Sequence, residues 1–260
     1  MGSATTHALS VSAAALASAQ VDLETARELF AAVRATGDSS ALSSALADHA
    51  AEPAARASLV DTVFASLSPA AQSVLRTVAG ERWSNAADLV AGIEDLAVRA
   101  VATAEQANVE GELFQVIRVV AENPDLELAL GARLGDASKK VELITRILGS
   151  SVSEGTLLIV TSIVELPRER RVRAALQRAI KVVAAQRGRT IATVRSAVPL
   201  TEAHRQRLAD SLSRTYGMPV SINVVVDPEV VGGIRVQIAD DVIDGSISTR
   251  LADLRSRLAG

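Results

Sequence analysis

Sliding the chain against itself by 84 residues brings Glu28-Leu29-Phe30 onto Glu112-Leu113-Phe114 and Arg34 onto Arg118. Leu42, Ala45 and Leu46 then fall on Leu126, Ala129 and Leu130, Glu52 on Asp136, Arg56 on Lys140, and Leu59 on Leu143. Over 28–82 there are 11 identities in 55 ungapped pairs, and apolar positions mostly meet apolar ones. A one-residue gap then sets Leu89 and Ile93 on Val172 and Leu176. An internal period constrains a fold strongly, because each copy is one supersecondary unit with the same face to bury. Two Ala/Leu-rich helical stretches can also agree by chance. The repeated Glu-Leu-Phe and the shared punctuation favour duplication of one helical unit.

Residues 1–187 read as helices throughout. Breaks fall near Gly37–Ser40, His49–Pro53, Ser66–Pro69, Glu122–Asp125 and Gly149–Ser153. Ser68-Pro69 has the serine cap and first-turn proline of a helix start, and Asp136 and Ser153 are further cap candidates. Short connections between such helices give an antiparallel bundle. The hydrophobic share is 48%, much of it alanine, while aromatics make up only 2%. Small side chains suit closely packed helices and suit a deep pocket for an aromatic ligand poorly.

After Gly188 the pattern changes. Thr190 to Arg195 alternates like a strand, Pro199-Leu200-Thr201 opens a helix that ends at Gly217, and Val220 to Val226 is a second β-branched run. Gly232-Gly233 precedes a third, Ile234 to Ile238. Asp244-Gly245-Ser246 then turns into a final helix with Ile247, Leu251, Leu254 and Leu258 on one seam. The expected fold is therefore mostly α: a helical bundle, duplicated as 1–95 and 96–187, followed by a small α/β domain at 188–260.

Little in the chain points to chemistry. With no cysteine, disulfides, thiolate catalysis and Cys-type zinc sites are excluded. His7, His49 and His204 are scattered and match no metal-ligand spacing. No phosphate loop, no nucleophile elbow and no dinucleotide fingerprint is present. Asp240, Asp241, Asp244 and Gly245 lack the alternation and closing glutamate of a calcium loop, so a turn with solvated carboxylates is expected, with Asp244 or Ser246 capping the last helix. No catalytic, cofactor or metal residues are expected. The first twenty residues lack the layout of a secretory signal. The longest apolar run, Leu157 to Val164, is interrupted by Thr161 and Ser162 and is far shorter than the ~20 residues of a membrane span.

Charge is uneven. Residues 1–164 carry 11 basic and 20 acidic groups, 165–189 carry 8 and 2, and 190–260 balance at 8 and 8. Arg168, Arg170, Arg171, Arg173, Arg178 and Lys181 are dense enough to meet several phosphates. Yet Val172, Leu176, Ala179 and Val183 form an apolar seam on the same helix, and no aromatic is interleaved for base stacking. A solvated face is the leading reading, contact with an acidic protein surface the second, and nucleic acid the weakest.

The run Val224-Val225-Val226-Asp227-Pro228-Glu229-Val230-Val231-Gly232-Gly233-Ile234-Arg235-Val236-Gln237-Ile238, followed by Val242-Ile243-Asp244-Gly245-Ser246-Ile247 and Leu251, closely resembles the signature of the ATP synthase delta subunit family. The oligomycin-sensitivity-conferring protein is its mitochondrial counterpart. Val194 to Thr201 is similar to the strand and turn that open that family's C-terminal domain. The resemblance covers residues 96–260, and the block before it reads as an additional copy of the helical domain. Where the family often has Arg-x-Tyr-Ala-x-Ala, this chain has Arg99-Ala100-Val101-Ala102-Thr103-Ala104, without the aromatic.

The resemblance implies a non-catalytic subunit of a proton-translocating ATP synthase, without cofactor. Its helical domain would grip the N-terminal helices of α subunits on the α/β catalytic head, and its C-terminal domain would receive the end of a b-type stalk helix. No nucleic acid is implied, and the membrane is reached only through the complex, on the cytoplasmic face of the plasma membrane. Candidate partner contacts are Val98, Val101 and Leu157 in the helical part and Ile247, Leu251 and Leu254 at the end. Asp227, Pro228, Gly232, Gly233, Asp244 and Gly245 are expected to be architectural: the aspartates fix turns and the glycines allow a backbone bend that a β-carbon would hinder.

Overall fold

The computed structural model describes residues 2–132, 136–168, 171–230, 232–238 and 241–245. Among the described residues the protein is mostly helical, with twelve helices and one small mixed sheet of four strands. It divides into two compact units, 1–183 and 184–260.

The helices are α1 (Ser3–Ser18), α2 (Leu23–Asp38), α3 (Ser40–Ala47), α4 (Pro53–Val63), α5 (Pro69–Gly80), α6 (Ala86–Ala104), α7 (Val109–Glu122), α8 (Pro124–Gly131), α9 (Ala137–Leu148), α10 (Glu154–Glu165) and α11 (Val172–Gln186). Their starts are written locally. Side chains of Asp22, Ser68, Asn85, Asn108, Asp136 and Ser153 each accept a hydrogen bond from a backbone N–H of the first turn, satisfying donors that have no partner within the helix. Proline opens α4, α5 and α8, where its missing N–H costs nothing.

Packing follows the same plan twice. α1 and α4 pack on α5, and α2 packs on α3 and α5; α6 and α9 pack on α10, and α7 packs on α8 and α10. One side-chain clamp recurs as well. The Glu28 carboxylate on α2 accepts from the Ser68 backbone N–H at 2.9 Å and its hydroxyl at 2.5 Å. On α7, Glu112 accepts from the Ser153 N–H at 2.9 Å and its hydroxyl at 2.7 Å. In both places a glutamate holds the capping serine of the helix that its own helix packs against.

The expected boundary between 95 and 96 falls inside α6, a continuous helix of 19 residues. Leu89, Ile93, Leu96, Ala97, Ala100 and Val101 are at most 1% exposed. α6 packs on α1, α2, α3 and α5 and also on α10. From Leu89 to Ala102 every residue but Ala91 and Arg99 is buried, so α6 is covered on nearly every side, and helices before and after it supply that cover within one unit.

The second unit contains β1 (Thr190–Ser196), α12 (Glu202–Tyr216), β2 (Val220–Val226), β3 (Ile234–Ile238) and β4 (Asp241–Asp244). The sheet order is β2-β1-β3-β4, with β1 parallel to β2 and the other pairs antiparallel. α12 starts at a Thr201 cap and ends at Gly217, whose φ is 70°. Leu212 joins Ala192, Val194, Val220, Val236 and Ile238 in the core, with Leu208 and Tyr216 packed against it. The fourth strand corrects the sequence reading of Asp241 and Asp244 as a solvated turn: Asp241 pairs with Ile238 and Asp244 with Arg235. Val242-Ile243 is a short β-branched pair, and β3 supplies the edge that makes it a strand. The expected seam of Ile247, Leu251, Leu254 and Leu258, and the cap candidate Ser246, lie outside the described residues.

Candidate functional site

Among the described residues of the signature, Asp227, Pro228, Gly232, Gly233 and Gly245 lie at the end of the sheet where β1 and β2 finish. Because β1 lies between β2 and β3, the chain leaving β2 must pass the end of β1. Asp227 organises that passage. Its N–H donates to the Ser196 carbonyl at 2.9 Å, its carboxylate accepts from the Glu229 N–H at 3.0 Å, and Arg195 reaches it at 3.3 Å. Pro228 follows at once, and the Val230 N–H returns to the Asp227 carbonyl at 3.1 Å. Gly232 and Gly233 then take φ values of 65° and 78°, a left-handed conformation that glycine adopts without steric cost. The Gly245 N–H donates to the Ile234 carbonyl at 2.9 Å, just after Asp244 has paired with Arg235. Apart from the Arg195–Asp227 ion pair, these bonds all involve the backbone of the turn.

The helical candidates are placed differently from their expected surface role. Val98 and Val101 are 3% and 0% exposed. α10 approaches so closely that a β-carbon on Gly155 would lie 2.7 Å from Val101 Cγ1. Both valines are therefore packed within the bundle, because α6 is shared by both blocks, and they present no side chain outward. Leu157 is half-buried on α10. Along that helix, Arg27 of α2 bonds Glu154 at 2.7 Å and Arg34 of α2 bonds Glu165 at 3.1 Å. Among the described residues of the helical unit, the large apolar side chains that do reach solvent are Val63, Leu128, Leu143 and Ile147, none of which the sequence pattern singled out for contact.

The basic segment is partly consumed inside the unit. Arg168 pairs with Glu94 of α6, and Arg173 reaches Glu127 of α8 at 2.9 Å. Val172, Leu176, Ala179 and Val183 are all 3% exposed or less, which is the expected seam. Arg170 lies outside the described residues. At the matching turn after α5 stands Trp83, 2% exposed, with its indole N–H donating to the Val78 carbonyl at 2.8 Å. Its ring lies against Gly92, where an added β-carbon would come within 2.2 Å. Sequence reasoning passed over this residue; the single tryptophan in a chain nearly free of aromatics was the available signal. Among the described residues no three His, Cys, Asp or Glu side chains converge as metal ligands, and no helix is long and apolar enough to cross a membrane.

The sequence profile of the family described as ATP synthase delta (OSCP) subunit matches residues 94–258. The chain belongs to that family. It is 45% identical to the ATP synthase subunit delta of Leifsonia xyli subsp. xyli (strain CTCB07), over 100% of both chains. The subunit delta of Streptomyces avermitilis is 39% identical over 93% of this chain and 91% of its own. That of Nocardia farcinica is 40% identical over 95% and 94%. As a delta (OSCP) subunit the protein is a non-catalytic stator component of an F-type ATP synthase. The profile begins within α6, whereas these relatives align over the preceding block too. That block is part of the length they have in common with this chain.

Proposed function

We propose that this delta-family chain joins the catalytic head to the peripheral stalk. Its helical unit grips α-subunit N-terminal helices on the α/β head, its sheet unit receives the end of a b-type stalk helix, and together they resist rotor torque. The chain then reaches the cytoplasmic face of the plasma membrane only through that assembly. We further infer that the helical unit arose by duplication, with α1–α6 and α6–α11 as two six-helix copies sharing one helix. The paired clamps of Glu28 on Ser68 and Glu112 on Ser153 support the duplication, since chance likeness between two alanine-rich stretches gives no reason for them to share a long-range side-chain contact. Membership of the family supports the mechanical role, and the part that Asp227, Gly232, Gly233 and Gly245 take in backbone geometry fits a joint. The competing reading, a nucleic-acid adaptor, is weakened by the ion pairs that already occupy Arg168 and Arg173.

Co-purification tests the role. The full chain is expected to bring down α, β and b-type subunits and no nucleic acid. Recovery of nucleic acid without those subunits would contradict it. Isothermal titration with ATP should give no micromolar binding by the isolated chain.

A further inference from the structure

β2 and β4 are the two edges of the sheet, and they are guarded differently. β4 has four residues, all exposed, with an aspartate at each end. β2 runs for seven, Val220-Ser221-Ile222-Asn223-Val224-Val225-Val226, with no charge, proline or glycine. Native edges are usually short, charged or covered, because a bare one is a template for another strand. The ladder shows which groups β2 offers. The Thr190 N–H donates to the Pro219 carbonyl and the Asp227 N–H to the Ser196 carbonyl, each at 2.9 Å. Successive residues of a strand turn their backbone groups to opposite edges. Ser221, Asn223 and Val225 therefore also face β1, while Val220, Ile222, Val224 and Val226 face outward. The Val220 N–H is taken by the Ser213 hydroxyl at 3.0 Å. The outward groups of Ile222, Val224 and Val226 meet no partner among the described residues. On the side-chain level, Ile222 packs against the core of the sheet, and Val226, on the same face, is 43% exposed.

We propose that β2 pairs antiparallel with β2 of a second copy of this chain, joining two sheets into one. The strand is its own complement. With Val224 opposite Val224 of the other copy, on a two-fold axis normal to the sheet, Ile222 falls opposite Val226. Each such pair exchanges two hydrogen bonds, so every unpartnered outward group is used and the Val220 bond to Ser213 stays in place. Centring the pair on Asn223 instead would set Val226 opposite Val220, whose N–H is already bonded. Cross-strand neighbours lie about 4.5–5.5 Å apart, so Ile222 of one copy covers the exposed Val226 of the other. No like charges meet along β2, and an isologous contact of this kind closes at two copies. A strand of another sequence would have to bring its own apolar residue to Val226; the second copy already carries Ile222 there. Such pairing is independent of the role as head-to-stalk joint, and co-purification with the other subunits can succeed or fail without it.

The test is sedimentation velocity of the full chain over a range of concentrations, with thermal melts to verify folding. A single strand pair lies at the small end of interfaces, below about 1,200 Å², so the wild type is expected to move from monomer toward dimer as concentration rises into the hundreds of micromolar. Val224→Pro removes an N–H that points away from β1, where an edge strand accepts proline. Val226→Lys puts a charge on the exposed end of the pair, as guarded edges do. Each is expected to raise the dissociation constant by about tenfold or more, with melts unchanged. Val242→Lys, on the other edge, should self-associate like the wild type. Amide exchange at Ile222, Val224 and Val226 should slow as concentration rises. A wild type that stays monomeric throughout would overturn the proposal, as would a dimer that both β2 variants leave intact or that Val242→Lys weakens equally. Exchange at those amides that slows only when b-type stalk is added would overturn the second copy as occupant and give the edge to the stalk.

Discussion

In the first helical block, the turn from α5 into its closing helix is held by an indole: Trp83 fills the space over Gly92 and bonds back to Val78. In the second block, three residues past the end of α10, the same turn is held by charge: Arg168 pairs with Glu94. Arg168 has a φ of 50° and is the only non-glycine residue with positive φ among those described. One backbone plan thus accepts either chemistry at its closing turn. The apolar lock works through area and shape alone. The ionic lock, with Arg168 and Glu94 side chains 20% and 10% exposed, works only while both partners are present, since either charge left alone is poorly solvated.

The sharpest break of this comparison is Trp83→Ala. Removing a fully buried tryptophan is expected to cost about 3–5 kcal/mol, read as a lower midpoint in denaturant melts. A cost near zero would mean that the indole is not what closes the first block. Next comes Glu94→Gln, expected to cost about 2–3 kcal/mol, below the ~3–5 typical of a fully buried pair because Arg168 is partly solvated. Combining Glu94→Leu with Arg168→Met should recover most of that loss, whereas no second residue should rescue Trp83→Ala in the same way. If the double variant is no better than the single one, the turn is not held by charge.

The clamps sharpen the likeness instead. Glu28→Gln and Glu112→Gln are each expected to cost about 1.5–2 kcal/mol, the low end of the range for a hydrogen bond to a charged group, because both contacts are only part-buried. Clearly unequal losses in the two blocks would count against equivalence. The smallest expected effect separates two helix caps. Asp22 accepts from the Thr25 N–H, and that bond, with the Thr25 hydroxyl second, holds its carboxyl below the usual range. Its stabilising contribution is therefore complete above the ordinary carboxylate range and is lost as pH falls through its lowered value. Asn108, which caps α7 through Gly111, does not titrate. The stability difference between wild type and Asp22→Asn should therefore shrink on acidification, while that between wild type and Asn108→Ala should not. A pH-independent gap at Asp22 would contradict this.

Most helix starts were legible because caps and prolines act within one turn: Ser68, Asp136 and Ser153 carry their own instructions. The strands at 190–196, 220–226 and 234–238 were equally plain in their alternation. What stayed hidden depends on distant partners. β4 is only Val242-Ile243 with flanking aspartates until β3 lies beside it. The burial of Val98 and Val101 follows from α6 having neighbours on every side, which a boundary drawn at 95 concealed. The pairing of Arg168 with Glu94 spans 74 positions, and the local sequence showed only a cluster of positive charge.

Because α6 closes one block and opens the next, each block has six helices while the period is five. Recombination between the codons for Glu28 and Glu112 would then shorten the gene without spoiling the order of helices. The product, with 1–27 joined to 112–260, keeps α1, a hybrid of α2 and α7, and α8 to α11, and it retains the Glu112 clamp on Ser153. Circular dichroism of that shortened chain is expected to show a folded helical protein; a random coil would speak against interchangeable halves. On the proposed duplication, sharing one helix would let a lineage gain or lose a whole block in a single crossover and still have a helix in the closing place.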